Sequence, residues 1–298
     1  MTAELIDGKA VAASIRAELS KQVAALAADG LVPRLAVILV GDDAASASYV
    51  GAKQRAAEEV GIVADIQRLP GTGDPAVVTE EIKSLTERLN ADPTVDGIIL
   101  QLPVPEGVND DLLLQSIDPL KDVDGLHPEN QGRILQGQAR YYPATPHGVQ
   151  QLLVRSGNDP GHKHVVIVGR STLVGLPLAA MLVQKRAGAN ATVTVCHTGS
   201  KDLGAMTRQA DILIAAAGRP GLIRAEMVRP GAVVIDVGIS RVDDATRKRG
   251  YRLAGDVDFD SVKETASFIT PVPGGVGPMT VVMLLTNVVR SAQQFRRR

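Results

Sequence analysis

The stretch Val165-Val-Ile-Val-Gly-Arg-Ser-Thr-Leu-Val-Gly-Leu-Pro177 decides how this chain is read. Four β-branched residues run into Gly169, which predicts a buried strand closed by a turn. A helix is expected from Leu176 to Lys185, with Pro177 suited to its first turn. Glycines in such a turn let the backbone approach a pyrophosphate at the positive end of the helix. The match to G-x-G-x-x-G is imperfect. Gly169 fits the first position, Ser171 replaces the second glycine, Val174 replaces the third, and Gly175 comes one place late. A strand-to-helix turn with no ligand fits the same residues. The surroundings favour a nucleotide, because strand patterns at Thr192–Val195, Ile212–Ala215 and Val233–Val237 continue the alternation.

The second of these strands also bears on the cofactor. Proteins that bind NAD place an acid at its end to accept from the ribose 2′-hydroxyl. Here the sequence is Val195-Cys196-His197-Thr198, without an acid. Arg170, Ser171 and Thr198 suit a 2′-phosphate instead, with Arg170 supplying charge. This favours NADP over NAD. A plain surface arginine is the other reading of Arg170.

Upstream, the pattern alternates in the same way. Val11, Ile15, Leu19, Val23 and Leu26 recur at helical spacing from Ala10 to Ala28. Leu35–Val40 reads as a strand, Ala44–Val60 as a helix, Ile62–Leu69 as a strand, Pro75–Leu89 as a helix and Gly97–Leu102 as a strand. Asp118–Gly125, rich in Pro, Asp and Gly, reads as a loop. A helix follows Pro146 through Leu153. Near the end, Gly274–Gly277 reads as a loop and Met279–Val289 as a closing helix. The expected fold is α/β, with two domains built on parallel sheets that meet near Tyr142–Pro146, the second a Rossmann-like dinucleotide-binding domain.

Candidate chemistry lies in the first domain. Tyr49 and Lys53 are four residues apart on one predicted helix, so they share a face. A desolvated lysine has a lowered pKa and moves protons near neutral pH. On spacing alone, a solvated lysine beside a half-buried tyrosine is the plainer reading. Gln101 ends an apolar strand, where parallel sheets place ligands; a polar cap on the sheet edge is the alternative. Asp122 and Asp124, in Lys121-Asp-Val-Asp-Gly125, fit an acid/base pair, a cation site or a simple turn. Pro271-Val-Pro-Gly-Gly-Val-Gly-Pro278 is a rigid glycine-rich loop, open to a ligand or serving as a hinge.

Composition excludes several classes. With 32 basic and 33 acidic residues, no long-range field favours nucleic acid or an anionic membrane. Aromatics are 2% of the chain, too few for a base-stacking platform. One cysteine, Cys196, rules out an intrachain disulfide and fits a reducing cytoplasm. The five histidines show no metal-ligand spacing, so no metal is expected. The N-terminus lacks signal-peptide character, and no apolar run reaches the roughly 18 residues of a membrane span. The basic tail Arg296-Arg-Arg298 reads as a solvated, frayed end.

Together, Tyr49-Val-Gly-Ala-Lys53, Gln101-Leu-Pro, Lys121-Asp-Val-Asp-Gly125, Gly169-Arg-Ser-x-x-Val-Gly-x-Pro177 and Pro271-Val-Pro-Gly-Gly-Val-Gly-Pro-Met-Thr280 resemble the bifunctional methylenetetrahydrofolate dehydrogenase/cyclohydrolases, in the same order and over nearly the whole chain. The resemblance implies hydride transfer from 5,10-methylenetetrahydrofolate to NADP, then hydrolysis of the methenyl product to 10-formyltetrahydrofolate, as a step of one-carbon metabolism. It implies that residues 1–145, joined by helix 278–298, bind folate in a catalytic domain, and that 146–277 bind NADP. Lys53 is implied as the acid/base of hydrolysis, Tyr49 as a stacking partner of the folate, Gln101 as the residue tuning Lys53, and Asp124 as the pterin anchor. Leu100, Leu102, Pro273, Gly274, Gly275, Val276 and Gly277 complete the implied folate site. Gly169, Arg170, Ser171, Thr198 and Ile239 are the implied cofactor contacts. A cytoplasmic homodimer is implied as well.

Overall fold

A computed structural model describes residues 2–247, 250–294 and 296. The chain divides into two compact units, Met1–Ala13 with Thr145–Thr280, and Ser14–Ala144 with Val281–Arg298. The first thirteen residues therefore belong with the later half of the chain, whereas the sequence reading grouped them with the earlier half. The reason is backbone pairing: β1 (Glu4–Leu5) lies parallel to β11 (Phe268–Ile269). Along the chain come α1 (Gly8–Ala28), β2 (Arg34–Val40), α2 (Ala44–Glu59), β3 (Val63–Leu69), α3 (Pro75–Ala91), β4 (Gly97–Leu100), α4 (Asp110–Ser116) and α5 (Pro128–Leu135).

Ser14–Ala144 holds a parallel sheet in the order β3-β2-β4. The central strand β2 is apolar along its length after Arg34 because both of its faces are covered. Asp43 and Asp74 cap α2 and α3, their carboxylates accepting from Ser46 N at 2.7 Å and Ala76 N at 2.8 Å. Each cap contributes about 1 kcal/mol. Helix α3 buries Val78, Ile82, Leu85 and Leu89 against Ile38, Ile98 and Leu100, and each such side chain stabilises the fold by about 1.5–3 kcal/mol. The helices α4 and α5 fall where no helix was expected, since each is under nine residues and offers too few turns for a clear period.

The second series runs α6 (Ala144–Arg155), β5 (His164–Val168), α7 (Gly175–Leu182), β6 (Thr192–Cys196), α8 (Leu203–Thr207), β7 (Ile212–Ala215), β8 (Val233–Asp236), β9 (Ser240–Asp243), β10 (Tyr251–Ala254), α9 (Phe259–Val262), β11 and α10 (Val276–Gln294). Its sheet has the order β1-β11-β8-β7-β5-β6, parallel throughout. This is the expected α/β, Rossmann-like arrangement. The hairpin β9–β10 was not expected. Helix α10 starts at Val276, so Val276 and Gly277 form its first turn rather than the end of a loop. Arg296 is not frayed. It donates to Val32 O at 2.9 Å and to the buried Asp96 Oδ2 at 3.1 Å. Arg297 and Arg298 lie outside the described residues. No helix among the described residues is long and apolar enough to cross a membrane.

Glycines set the β5–α7 turn. Gly169 has φ +133°, and a Cβ there would overlap the Ala216 carbonyl. A Cβ on Gly175 would overlap the Gly169 carbonyl oxygen. Gly175 thus does the helix-to-strand packing usually given to the third glycine of the fingerprint, one position late. Gly175→Ala is expected to cost about 1–3 kcal/mol of stability. Gly132→Ala, where an added Cβ meets nothing within 4 Å, should be neutral or stabilising by up to about 1 kcal/mol. Denaturant midpoints check both; equal midpoints for the two variants would mean that α7 can slide.

Candidate active site

The three-stranded sheet gathers its polar side chains at the carboxyl ends of its strands. Helix α2 leaves the end of β2 and carries Tyr49 and Lys53 on one face, while Gln101 follows β4 directly. The Gln101 N–H donates to Ile38 O at 2.9 Å, which extends the ladder and fixes where its side chain starts. Lys53 Nζ donates to Gln101 Oε1 at 3.0 Å. The Gln101 amide is oriented in turn, with Nε2 donating to Leu102 O at 2.6 Å.

Asp124 arrives by a different route. A parallel bridge pairs Asp122 with Ile98, and Ile98 N donates to Lys121 O at 2.8 Å. That register brings Asp124, two residues further, to the end of β4 beside Gln101. The close approach requires Gly97, whose Cβ would meet the Val123 methyls at 2.7 Å. From the opposite side, Asn287 of α10 donates to Val123 O and Tyr142 O, both at 2.8 Å, and pins the segment. Lys121 anchors its start by donating to the last carbonyls around α3, those of Leu89, Asn90 and Asp92, at 2.6–2.9 Å.

The two aspartates divide their work. Asp122 is buried and structural. Its carboxylate accepts from Leu126 N at 3.1 Å, His127 N at 2.8 Å and Asn130 Nδ2 at 2.8 Å. Burial pushes it up to about 7 against the pull of those donors. Asp124 is the aspartate coupled to Lys53. Burial lowers the Lys53 amine from the ordinary lysine range, and the Asp124 charge acts in the opposite sense. Burial raises Asp124, while Lys53 pulls it down. Tyr49 is 47% exposed, a free ring beside the amine. Leu100 is buried under the sheet end and Leu102 is half-buried.

In the other unit a pocket of about 240 Å³ sits at the carboxyl ends of β5, β6 and β7. Gly169, Arg170, Ser171 and Thr198 line it, as expected for a nucleotide, over an apolar floor of Leu203 and Leu222. Ser171 Oγ accepts from Val174 N at 3.1 Å and holds the turn. No acid lines the pocket. A glycine cradle that a Cβ would fill, a basic rim and an apolar floor together fit an adenine dinucleotide bearing a 2′-phosphate. Ile239 follows β8, is 47% exposed and is not among the residues lining this pocket.

The Pro271–Pro278 loop is backed by its own unit. Gly275 N donates to Pro271 O at 2.8 Å, and a Cβ on Gly8 would overlap the Gly275 carbonyl. Pro273 and Gly277 are exposed, while Gly274, Gly275 and Val276 are buried.

Sequence reasoning missed Arg219, Asp236 and Asp256. Arg219 also lines the 240 Å³ pocket. Asp256 Oδ2 accepts from Ala217 N at 2.6 Å and Gly218 N at 2.9 Å and holds the turn that carries Arg219. Asp236 accepts from Gly238, Asp256 and Val257 N–H groups, each at 2.9 Å. Burial, with the Asp256 charge, pushes Asp236 up to about 6. Applying the strand-end rule to β7 would have found Arg219. The two aspartates carry no such signal, because a loop acid looks solvated in sequence. Among the described residues no three His, Cys, Asp or Glu side chains cluster as metal ligands.

Replacing Asp124 by Asn removes the charge that holds the Lys53 amine up. The Lys53 pKa is therefore expected to fall further, read by ¹⁵N NMR titration of the Nζ. An unchanged midpoint would mean that Asp124 does not act on the amine.

Comparison with known proteins agrees with this geometry. Residues 6–124 match the model of the tetrahydrofolate dehydrogenase/cyclohydrolase catalytic domain, and residues 143–296 match that of the NAD(P)-binding domain of the same family. The bifunctional protein FolD of Halobacterium salinarum is 52% identical over 98% of this chain and 96% of its own length. The FolD of Geobacillus thermodenitrificans is 50% identical over 99% of both chains. Among solved structures, the bifunctional FolD of Campylobacter jejuni superposes with a TM-score of 0.90 at 46% identity, covering 97% of this chain and 98% of its own. The methylenetetrahydrofolate dehydrogenase-cyclohydrolase of Trypanosoma brucei, complexed with NADP cofactor and inhibitor, reaches a TM-score of 0.92 at 38% identity over the whole of both chains. With both halves matched and full-length relatives at about half identity, the chain belongs to the tetrahydrofolate dehydrogenase/cyclohydrolase family.

Proposed function

We propose that this chain is a bifunctional enzyme that oxidises 5,10-methylenetetrahydrofolate to 5,10-methenyltetrahydrofolate with NADP and hydrolyses the product to 10-formyltetrahydrofolate. The observation that carries the reading is the Lys53 amine, desolvated and bonded to Gln101 at the end of a parallel sheet, in a chain whose two halves match the family's two domains.

When bound, NADP supplies the hydride acceptor. Gly169, Arg170, Ser171, Thr198 and Ile239 would hold it, with the first four on one pocket. The chain's task in oxidation is positioning, because the substrate nitrogens stabilise the cation left when the methylene carbon loses hydride. Tyr49 offers its exposed ring to the flat pterin, and Asp124 accepts from the pterin N–H groups. Leu100 and Leu102 form further walls of the folate site in this reading, and the family resemblance supports Pro273, Gly274, Gly275, Val276 and Gly277 as folate contacts.

Hydrolysis needs a proton carrier. Water adds to the methenyl carbon, and the neutral Lys53 amine takes the proton released. Lys53 then returns a proton to N5 as the carbon–N5 bond breaks. The adduct hydroxyl loses its proton, leaving a formyl group on N10 and one net proton for solvent. An ordinary lysine is nearly all ammonium at neutral pH and cannot begin this cycle. Burial lowers the Lys53 pKa and populates the amine. Gln101 accepts from Nζ without adding charge, so it orients the amine while leaving that lowering in place. The family resemblance supports a cytoplasmic homodimer.

Lys53→Met is expected to reduce methenyl hydrolysis by about 10²–10⁴-fold while folate and NADP still bind; unchanged hydrolysis would refute the assignment. Following absorbance of the methenyl compound with each cofactor separates its formation from its decay. Arg170→Ala should weaken NADP by about tenfold or more and leave NAD little changed, whereas equal losses would show that Arg170 does not read the 2′-phosphate.

A further inference from the structure

We infer that Arg219 is a second cation for the 2′-phosphate of the cofactor and, with Arg170, sets the preference for NADP. The inference rests on the NADP reading above and extends it to a residue outside the glycine turn.

Arg170 and Arg219 line the same pocket of about 240 Å³, and no carboxylate joins them there. Among the described residues neither guanidinium has a hydrogen-bond or ion-pair partner. Two other arginines of this unit are engaged. In a cavity at the opposite, amino ends of the strands, Asp211 neutralises Arg229 at 2.6 Å, and Arg241 lies over the Tyr251 ring. Two unpaired like charges on one small pocket repel each other. An anion between them turns that cost into attraction.

The anion's chemistry follows from the pocket. Its floor, Leu203 and Leu222, is apolar and suits a purine face. Thr198 follows the end of β6, where the adenosine ribose 2′-position falls in this fold. A phosphate monoester carries about −1.5 to −2 charge at neutral pH, more than one guanidinium neutralises. The guanidinium fork matches two phosphate oxygens at once.

Arg219 is also presented from a fixed backbone. Asp256 Oδ2 holds the preceding N–H groups of Ala217 and Gly218. On the other side Leu222 N donates to Arg219 O at 3.2 Å, and Gly221 N to Gly255 O at 3.1 Å. The turn is tied at both ends, so the side chain alone must be ordered when the phosphate binds.

Calorimetry with 2′,5′-ADP and 5′-AMP on the full chain tests this without any turnover. Arg219→Gln is expected to weaken 2′,5′-ADP by about tenfold or more and to leave 5′-AMP unchanged. Arg219→Lys, which keeps the charge but loses the fork, should recover part of the loss. Equal weakening of both ligands would place Arg219 on the adenine or the 5′-phosphate and overturn the inference. Unchanged affinity for both would overturn it too. A wild-type protein that does not prefer 2′,5′-ADP to 5′-AMP would remove the NADP reading itself, and the inference with it. An undiminished preference in Arg219→Gln sinks the inference alone. Because Arg219 is exposed, the substitution leaves the core intact, and an unchanged denaturation midpoint confirms that the variant is folded.

Discussion

A parallel strand buried on both faces has nowhere to display chemistry except at its ends. In the three-stranded sheet this constraint places Gln101 at the end of β4 and the helix bearing Lys53 at the end of β2. In the six-stranded sheet it places the β5–α7 turn, Thr198 and Arg219 around one pocket. Both sites follow from the same rule, although one holds a desolvated amine and the other an array of cations and glycines.

What separates them is how each charge is treated. The Lys53 amine is desolvated and given a neutral acceptor, so its protonated form is disfavoured and it can exchange protons. Arg170 and Arg219 stay exposed and permanently charged, ready to attract an anion. Carboxylates are used mostly as scaffolding. Asp122 ties a loop through three N–H groups, Asp236 joins three further N–H groups, and Asp256 braces the Arg219 turn. Asp124, a member of the same Asp-Val-Asp run as Asp122, is the exception, since its charge is coupled to the amine.

Much of the architecture is legible in the sequence because long elements have strong periods. Helices α1, α2 and α3 and strands β2, β5 and β7 lie within a few residues of where apolar spacing puts them. The short helices α4 and α5 and the β9–β10 hairpin do not, since seven or eight residues give no clear period and alternation in Ser240–Asp243 is polar as well as apolar. Gly175 looked one place late by motif, yet its packing on Gly169 shows that contact geometry, not register in a pattern, is what the glycine serves.

Local order alone determined the alternation of strands and helices, the missing acid after β6, and the placement of Tyr49 and Lys53 on one helical face, because these depend on neighbours a few residues apart. Only the tertiary structure decided that the charge of Asp124 rather than Asp122 acts on the amine, that β1 joins the distant β11, and that Arg219 shares a pocket with Arg170. Those outcomes depend on strand register and on desolvation, which arise when segments far apart in sequence exclude water from one another.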